Sequence, residues 1–246
     1  MPTFTKPRRT APVRPESAWP LRLDQQRLAA LIPPQGTWTA DDYLWLVRAG
    51  AQRVELADGW IEELPMPSER HQRLLGFLYR LLHAWLAPSG GIVVFSPLSM
   101  RVAERRFREP DLLALRDAAD RRRGADFWAG ADLVVEVVSP SSAAHDLVTK
   151  RREYAEAGVA EYWIVDGGAE RVVVLALEGD GYREHGTFER DAQATSPLLP
   201  GLSVDVGALF DEGAWGAVDE ALERFTDDAF AERVQPDQPE RGAGER

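Results

Sequence analysis

The chain has 246 residues, 44% of them hydrophobic and 28% charged, which is enough apolar material for one substantial core. No segment approaches the roughly 18 uninterrupted apolar residues of a membrane helix, so no membrane association is expected. The chain has no cysteine, which excludes disulfides, thiolate metal sites and cysteine nucleophiles and leads us to expect a cytoplasmic protein.

Residues 1–36 hold seven of the seventeen prolines and several arginines. They read as a disordered arm without the apolar run of a secretory signal. Thr39-Ala40-Asp41-Asp42 is a capping-box start to a short helix ending at Gly50. Arg53–Ala57 and Trp60–Leu64 flank Asp58-Gly59, the signature of a tight hairpin, with Glu55 on the face opposite Val54 and Leu56. Ser68 caps a long helix in which Leu74, Leu75, Leu78, Leu81, Leu82 and Trp85 recur at helical spacing. Strands are expected at Ile92–Phe95, Ser99–Val102 and Asp111–Leu115. Leu133–Val138 reads as a buried central strand interrupted only by Glu136. Ser141 or Ser142 should cap a helix ending at Gly158. Tyr162–Val165 and Arg171–Leu177 form a second hairpin, and an acidic helix around Trp215–Phe225 leads into a charged tail. These elements predict an α/β fold with a mixed sheet flanked by helices, in one domain over 37–210, followed by an acidic helix and disordered tail over 211–246.

Three segments carry the chemistry. Asp111 follows Pro110 at a strand mouth, Glu136 lies among four valines, and Lys150 sits on the helix that follows, with Tyr154 one turn on. A carboxylate inside a hydrophobic strand requires a positive partner. Asp111 and Glu136 form the hard-oxygen pair that magnesium takes, and a nearby ammonium can stabilise a phosphorane or orient water. Lysine is rare here, with 27 arginines and only Lys6 and Lys150 among the basic residues, so its retention at 150 asks for a reason.

The order Pro110-Asp111, Glu136, lysine resembles the PD-(D/E)xK superfamily of restriction-endonuclease-like nucleases. More narrowly, Val54-Glu55-Leu56-Ala57-Asp58-Gly59, Pro67–His71, Glu109-Pro110-Asp111, Val135–Ser141, Asp146 to Lys150 to Tyr154, and Glu161–Asp166 resemble the Uma family of bacterial endonucleases over about 38–210. The resemblance implies a restriction-endonuclease-like core that hydrolyses DNA phosphodiesters with Mg2+ or Mn2+. It implies Asp111 and Glu136 as metal ligands and Lys150 as the catalytic lysine. Glu55 would be a further acid of the site, with His71 at its edge. In the superfamily the lysine normally stands two residues after the second acid, a position held here by Val138, so Lys150 replaces it from the next helix.

Each residue has a structural alternative: a turn cap for Asp111, a buried ion pair to arginine for Glu136, a surface partner of Asp146 for Lys150, solvation for Glu55, a satisfied structural histidine for His71, and packing for Tyr154. The net charge of −11 is unevenly spread, with 70–152 at +5. Arg105, Arg106, Arg108 and Arg151 are therefore candidate phosphate contacts, with solvated loops as the alternative. A homodimer would suit double-strand cutting. The other function class is a catalytically inactive nuclease-fold module that binds nucleic acid or a protein partner.

Overall fold

The computed structural model describes residues 32–51, 53–138 and 146–211. The first part of the expected arm, the Ser141 or Ser142 cap, the 215–225 helix and the tail lie outside the described residues. The elements below belong to the compact unit that begins at Gln35.

Helix α1 spans Ala40–Arg48. It opens on the expected capping box, in which the Thr39 side chain accepts from the Asp42 amide and Asp42 accepts from the Thr39 amide. Strands β1 (Val54–Ala57) and β2 (Trp60–Glu63) pair antiparallel through Asp58-Gly59, both at positive φ. Such a turn matches the right-handed twist of the paired strands. Helix α2 (Glu69–Leu86) starts at Ser68, whose hydroxyl accepts from the His71 amide, and ends in a 3-10 turn.

The chain continues through β3 (Ile92–Phe95), β4 (Ser99–Ala103), β5 (Arg106–Arg108), β6 (Leu112–Leu115), β7 (Phe127–Trp128) and β8 (Leu133–Val138). A π-helical turn, Asp146–Lys150, runs into α3 (Arg151–Glu156), so the segment is not the single α-helix expected. β9 (Glu161–Asp166), β10 (Arg171–Glu178), β11 (Gly181–Phe188), β12 (Gln193–Thr195), β13 (Ser203–Asp205) and α4 (Val206–Phe210) complete the described order.

The strands form a six-stranded sheet, β11-β10-β9-β8-β6-β3, a five-stranded sheet, β2-β1-β5-β4-β7, and a small β12-β13 pair. β8 and β9 run parallel, joined by the stretch that contains α3, while the other pairs of the large sheet are antiparallel. Every residue of β8 is buried. Its Leu133, Val135 and Val137 pack in one core with Leu74, Leu78 and Leu82 of α2. Val134 and Val138 pack in a second core with Met100, Tyr154 and Tyr162. Alternation therefore turns Glu136 toward the second core, beneath α3.

β5 ends at Arg108 in one sheet and β6 begins at Leu112 in the other. Glu109-Pro110-Asp111 is thus the passage between sheets, and the candidate site is built around it. The β1–β2 hairpin that carries Glu55 is held by Gly59, whose carbonyl accepts from the amides of Gly36 and Trp38. Gly59 has φ +94, and a Cβ there would lie 2.5 Å from the Gly36 carbonyl oxygen. Both features require glycine. Gly59→Ala should lower unfolding free energy by about 2 kcal/mol or more, read from urea denaturation, because left-handed strain and the backbone clash act together.

Candidate active site

A cavity of about 840 Å³ opens where the two sheets meet, and Glu55, Glu109, Asp111, Glu136, Lys150 and His71 line it. Its lip is the 64–68 segment between β2 and α2, facing the Gly167-Gly168 turn.

β8 delivers Glu136 from its buried interior. One oxygen, Oε1, accepts from Lys150 Nζ at 2.8 Å and from the Tyr154 hydroxyl at 2.7 Å. Lys150 and Tyr154, four residues apart, therefore reach the same atom from one side of the helical segment. The Lys150 ammonium also stands 3.6 Å from Glu55 Oε1. Burial pushes the Tyr154 hydroxyl far above its ordinary range, and the Glu136 charge adds to the shift, so it stays protonated as a donor.

Glu55 sits opposite Val54 and Leu56 as expected, yet it is buried, since that face of β1 turns toward the cavity rather than solvent. Its Oε1 accepts from the Glu109 amide at 2.8 Å and its Oε2 from Arg108 Nη1 at 2.9 Å. Burial opposes its charge, but Lys150, Arg108 and the backbone donor outweigh burial and hold the carboxyl below its ordinary value.

Asp111 closes the ladder between β6 and β8. The paired register ends at Leu112↔Val135, and beyond it the Val137 amide donates to Asp111 Oδ2 at 2.8 Å. Oδ1 lies 3.1 Å from His71 Nε2, so the first turn of α2 orients this carboxylate. Glu109 is buried beside it and pairs with Arg53 at 2.8 Å. Burial raises its carboxyl despite Arg53, and the Glu55 charge reinforces the rise.

Asp111, Glu136, Lys150, Glu55 and His71 thus share one cavity, while Tyr154 stands behind Glu136. The arginines expected to meet phosphate do not line it. Arg108 is a correction: its guanidinium is buried, gripped by Glu153 through Nε at 2.6 Å and Nη2 at 3.0 Å, and bonded to Glu55 and Glu62. Arg106 pairs with Asp58, Arg105 donates to the carbonyls of Gly36 and Trp38, and Arg151 donates to that of Tyr182. Among the described residues, the arginines at the cavity are Arg53 and Arg70. Sequence reasoning passed over both, and over Glu109 and Glu153. Only Glu109 offered a signal, as the acid beside the Pro110-Asp111 pair.

Among the described residues no three His, Asp or Glu side chains converge as a metal-ligating cluster. Among the described residues the donors at the cavity are carboxylate oxygens with one imidazole, His71, and acids outnumber bases along its wall. That set suits a hard cation that takes one or two carboxylates and completes its shell with water and phosphate, not a closed zinc site.

A mixed sheet that brings two acids and a lysine to one cleft between strands defines a nuclease-type, restriction-endonuclease-like fold. The chain belongs to the Uma2 family, described as "Putative restriction endonuclease", which it matches over residues 40–207. Among solved structures it is similar to the 1.96 Å crystal structure of a "putative nuclease belonging to DUF820" from Anabaena variabilis ATCC 29413. The two share 18% identity with a TM-score of 0.58, covering 70% of this chain and 97% of that one. No curated protein matches the chain. Among the described residues no helix is long and apolar enough to cross a membrane.

Because Glu55 is a buried partner of two cations, Glu55→Gln should cost about 3 kcal/mol at pH 7. Its folded-state carboxyl lies below the ordinary 4.5. The wild-type advantage is therefore complete above that value and shrinks as pH falls through the depressed one. Urea titrations of both proteins at pH 7 and pH 3 check this; an advantage of equal size at both would contradict the assignment.

Proposed function

We propose that the chain is a Mg2+-dependent endonuclease that hydrolyses DNA phosphodiester bonds, with Mn2+ as a substitute ion. The observation that carries this reading is the meeting of Asp111, Glu136 and the Lys150 ammonium at one acidic cavity on a nuclease-family scaffold.

Asp111 and Glu136 would hold the ion. When bound, it supplies Lewis acidity to the phosphate and lowers the pKa of a coordinated water. His71 and the Val137 amide hold the Asp111 carboxylate in place, and Tyr154 does the same for Glu136. Glu55 and Glu136 hold the Lys150 ammonium at the cavity wall, where it can stabilise negative charge that develops on the phosphate. The excess of carboxylates on the wall repels a bare phosphate, so Asp111 and Glu136 would admit the substrate only with their charge neutralised.

Purified protein should nick plasmid DNA in millimolar magnesium and stop on chelation. Asp111→Asn and Lys150→Met should each lose about 10²–10³ in rate, the range for removing one preorganised stabilising group. Magnesium should raise the melting temperature of the wild type but not of Asp111→Asn. If the wild type is stabilised by magnesium yet leaves DNA intact with either metal, the scaffold is a binding module and the enzyme reading is lost.

A further inference from the structure

We propose that Arg108 and Glu153, neither of which lines the cavity, are positioning residues that hold the tip of Lys150 at its site. The inference rests on the reading of Lys150 as the lysine of that site, and it identifies what fixes an ammonium delivered from a helix rather than from the central strand.

The contacts close a ring. Lys150 Nζ lies 3.6 Å from Glu55 Oε1, and Glu55 Oε2 accepts from Arg108 Nη1 at 2.9 Å. Arg108 places Nε and Nη2 on the two oxygens of Glu153, at 2.6 and 3.0 Å. Glu153 stands three residues after Lys150, in the first turn of α3. The helical segment that presents the lysine thus also anchors the arginine that aims the carboxylate facing it. Arg106 Nε at 4.0 Å from Glu153 and Glu62 on Arg108 complete the surroundings.

Stability alone gives a weak account of this ring. Glu55, Arg108, Lys150 and Glu153 are all buried. A buried ion network is commonly matched or exceeded in stability by apolar residues of similar volume. What apolar residues cannot do is fix the direction of a flexible four-carbon amine. The two-pronged grip on Glu153 also demands arginine, since lysine presents only a point charge.

Having two lysines makes a direct test possible. Acetylation of the full chain with an amine-reactive ester, followed by peptide mass spectrometry, yields the labelling rate of Lys150 relative to Lys6. In the paired Arg108→Met/Glu153→Met variant, which removes opposite charges together, that ratio should rise by about tenfold or more over wild type as the ring opens. Glu153→Gln provides a milder second variant should the paired one fail to fold, and it should raise the ratio in the same direction. On DNA, both variants should lose up to about 10²-fold in kcat with KM nearly unchanged, as expected when a reacting group is misplaced rather than binding lost. Arg108→Lys should not restore either readout. A variant with wild-type circular dichroism and a wild-type Lys150 to Lys6 ratio overturns the proposal. The labelling readout needs no catalysis, so a raised ratio in a protein that never cuts DNA upholds the positioning ring while rejecting the nuclease reading.

Discussion

The contact between the Lys150 ammonium and the Glu136 carboxylate is the constraint around which the rest of the site is arranged. Glu136 cannot leave the interior, because β8 is flanked by β6 and β9 and packed on both faces. A carboxylate fixed there must be met by donors, and Lys150 and Tyr154 meet it on a single oxygen. That requirement sets how α3 lies across the sheet. The same ammonium faces Glu55, so the hairpin in the smaller sheet is tied to the strand of the larger one through one nitrogen.

Much of the fold was legible because its segments obey strong local rules. The capping box, the Asp-Gly turn, the leucine stripe of α2 and the branched run of β8 each depend on a pattern that burial and backbone geometry impose. Glu136 and Lys150 stood out for the opposite reason, since each breaks its local pattern, as a charge among valines or a lysine in an arginine-rich chain, while Asp111 was marked by Pro110 at the mouth of its strand. β5 was missed because Arg106-Phe107-Arg108 shows one apolar residue between two charges and reads as a solvated loop. Arg108 is buried only because three distant acids, Glu55, Glu62 and Glu153, are brought to it by the fold, and no local spacing records that. The π-helical turn at 146–150 was equally invisible, since nothing in the residue pattern separates it from an ordinary helical start.

The internal use of arginine also corrects a reading of charge. Residues 70–152 carry a positive balance in sequence, but position along a chain is not position on a surface. Arg106 is spent on Asp58, Arg108 on Glu153 and Glu55, and Arg122 on Asp120 and Asp132. The Asp120 carboxyl is held at about 2 chiefly by its hydrogen bonds with Arg122. Much of the basic block therefore serves as ballast for acids inside the protein or at its rim. A patch that attracts phosphate cannot be counted from the same residues.

The proposed placement of the catalytic lysine at 150 fits how the two faces of β8 are used. In the superfamily pattern the lysine would stand at 138, on the same face of the strand as Glu136. Here that face is apolar on either side of the glutamate, with Val134 and Val138 packed against Met100, Tyr154 and Tyr162. A lysine at 138 would replace a valine of that cluster at the edge of the cavity and forfeit its apolar contacts. Lys150 instead approaches from the helical segment above, so the hydrophobic contacts of the strand remain intact and the ammonium reaches the acid from the cavity wall. Lys150 carries its flexible four-carbon stem on the helical segment, apart from the strand that bears its partner. In the ring proposed above, the buried Glu55 and the Arg108 behind it restrict that stem, and they enclose charge along a seam between two sheets.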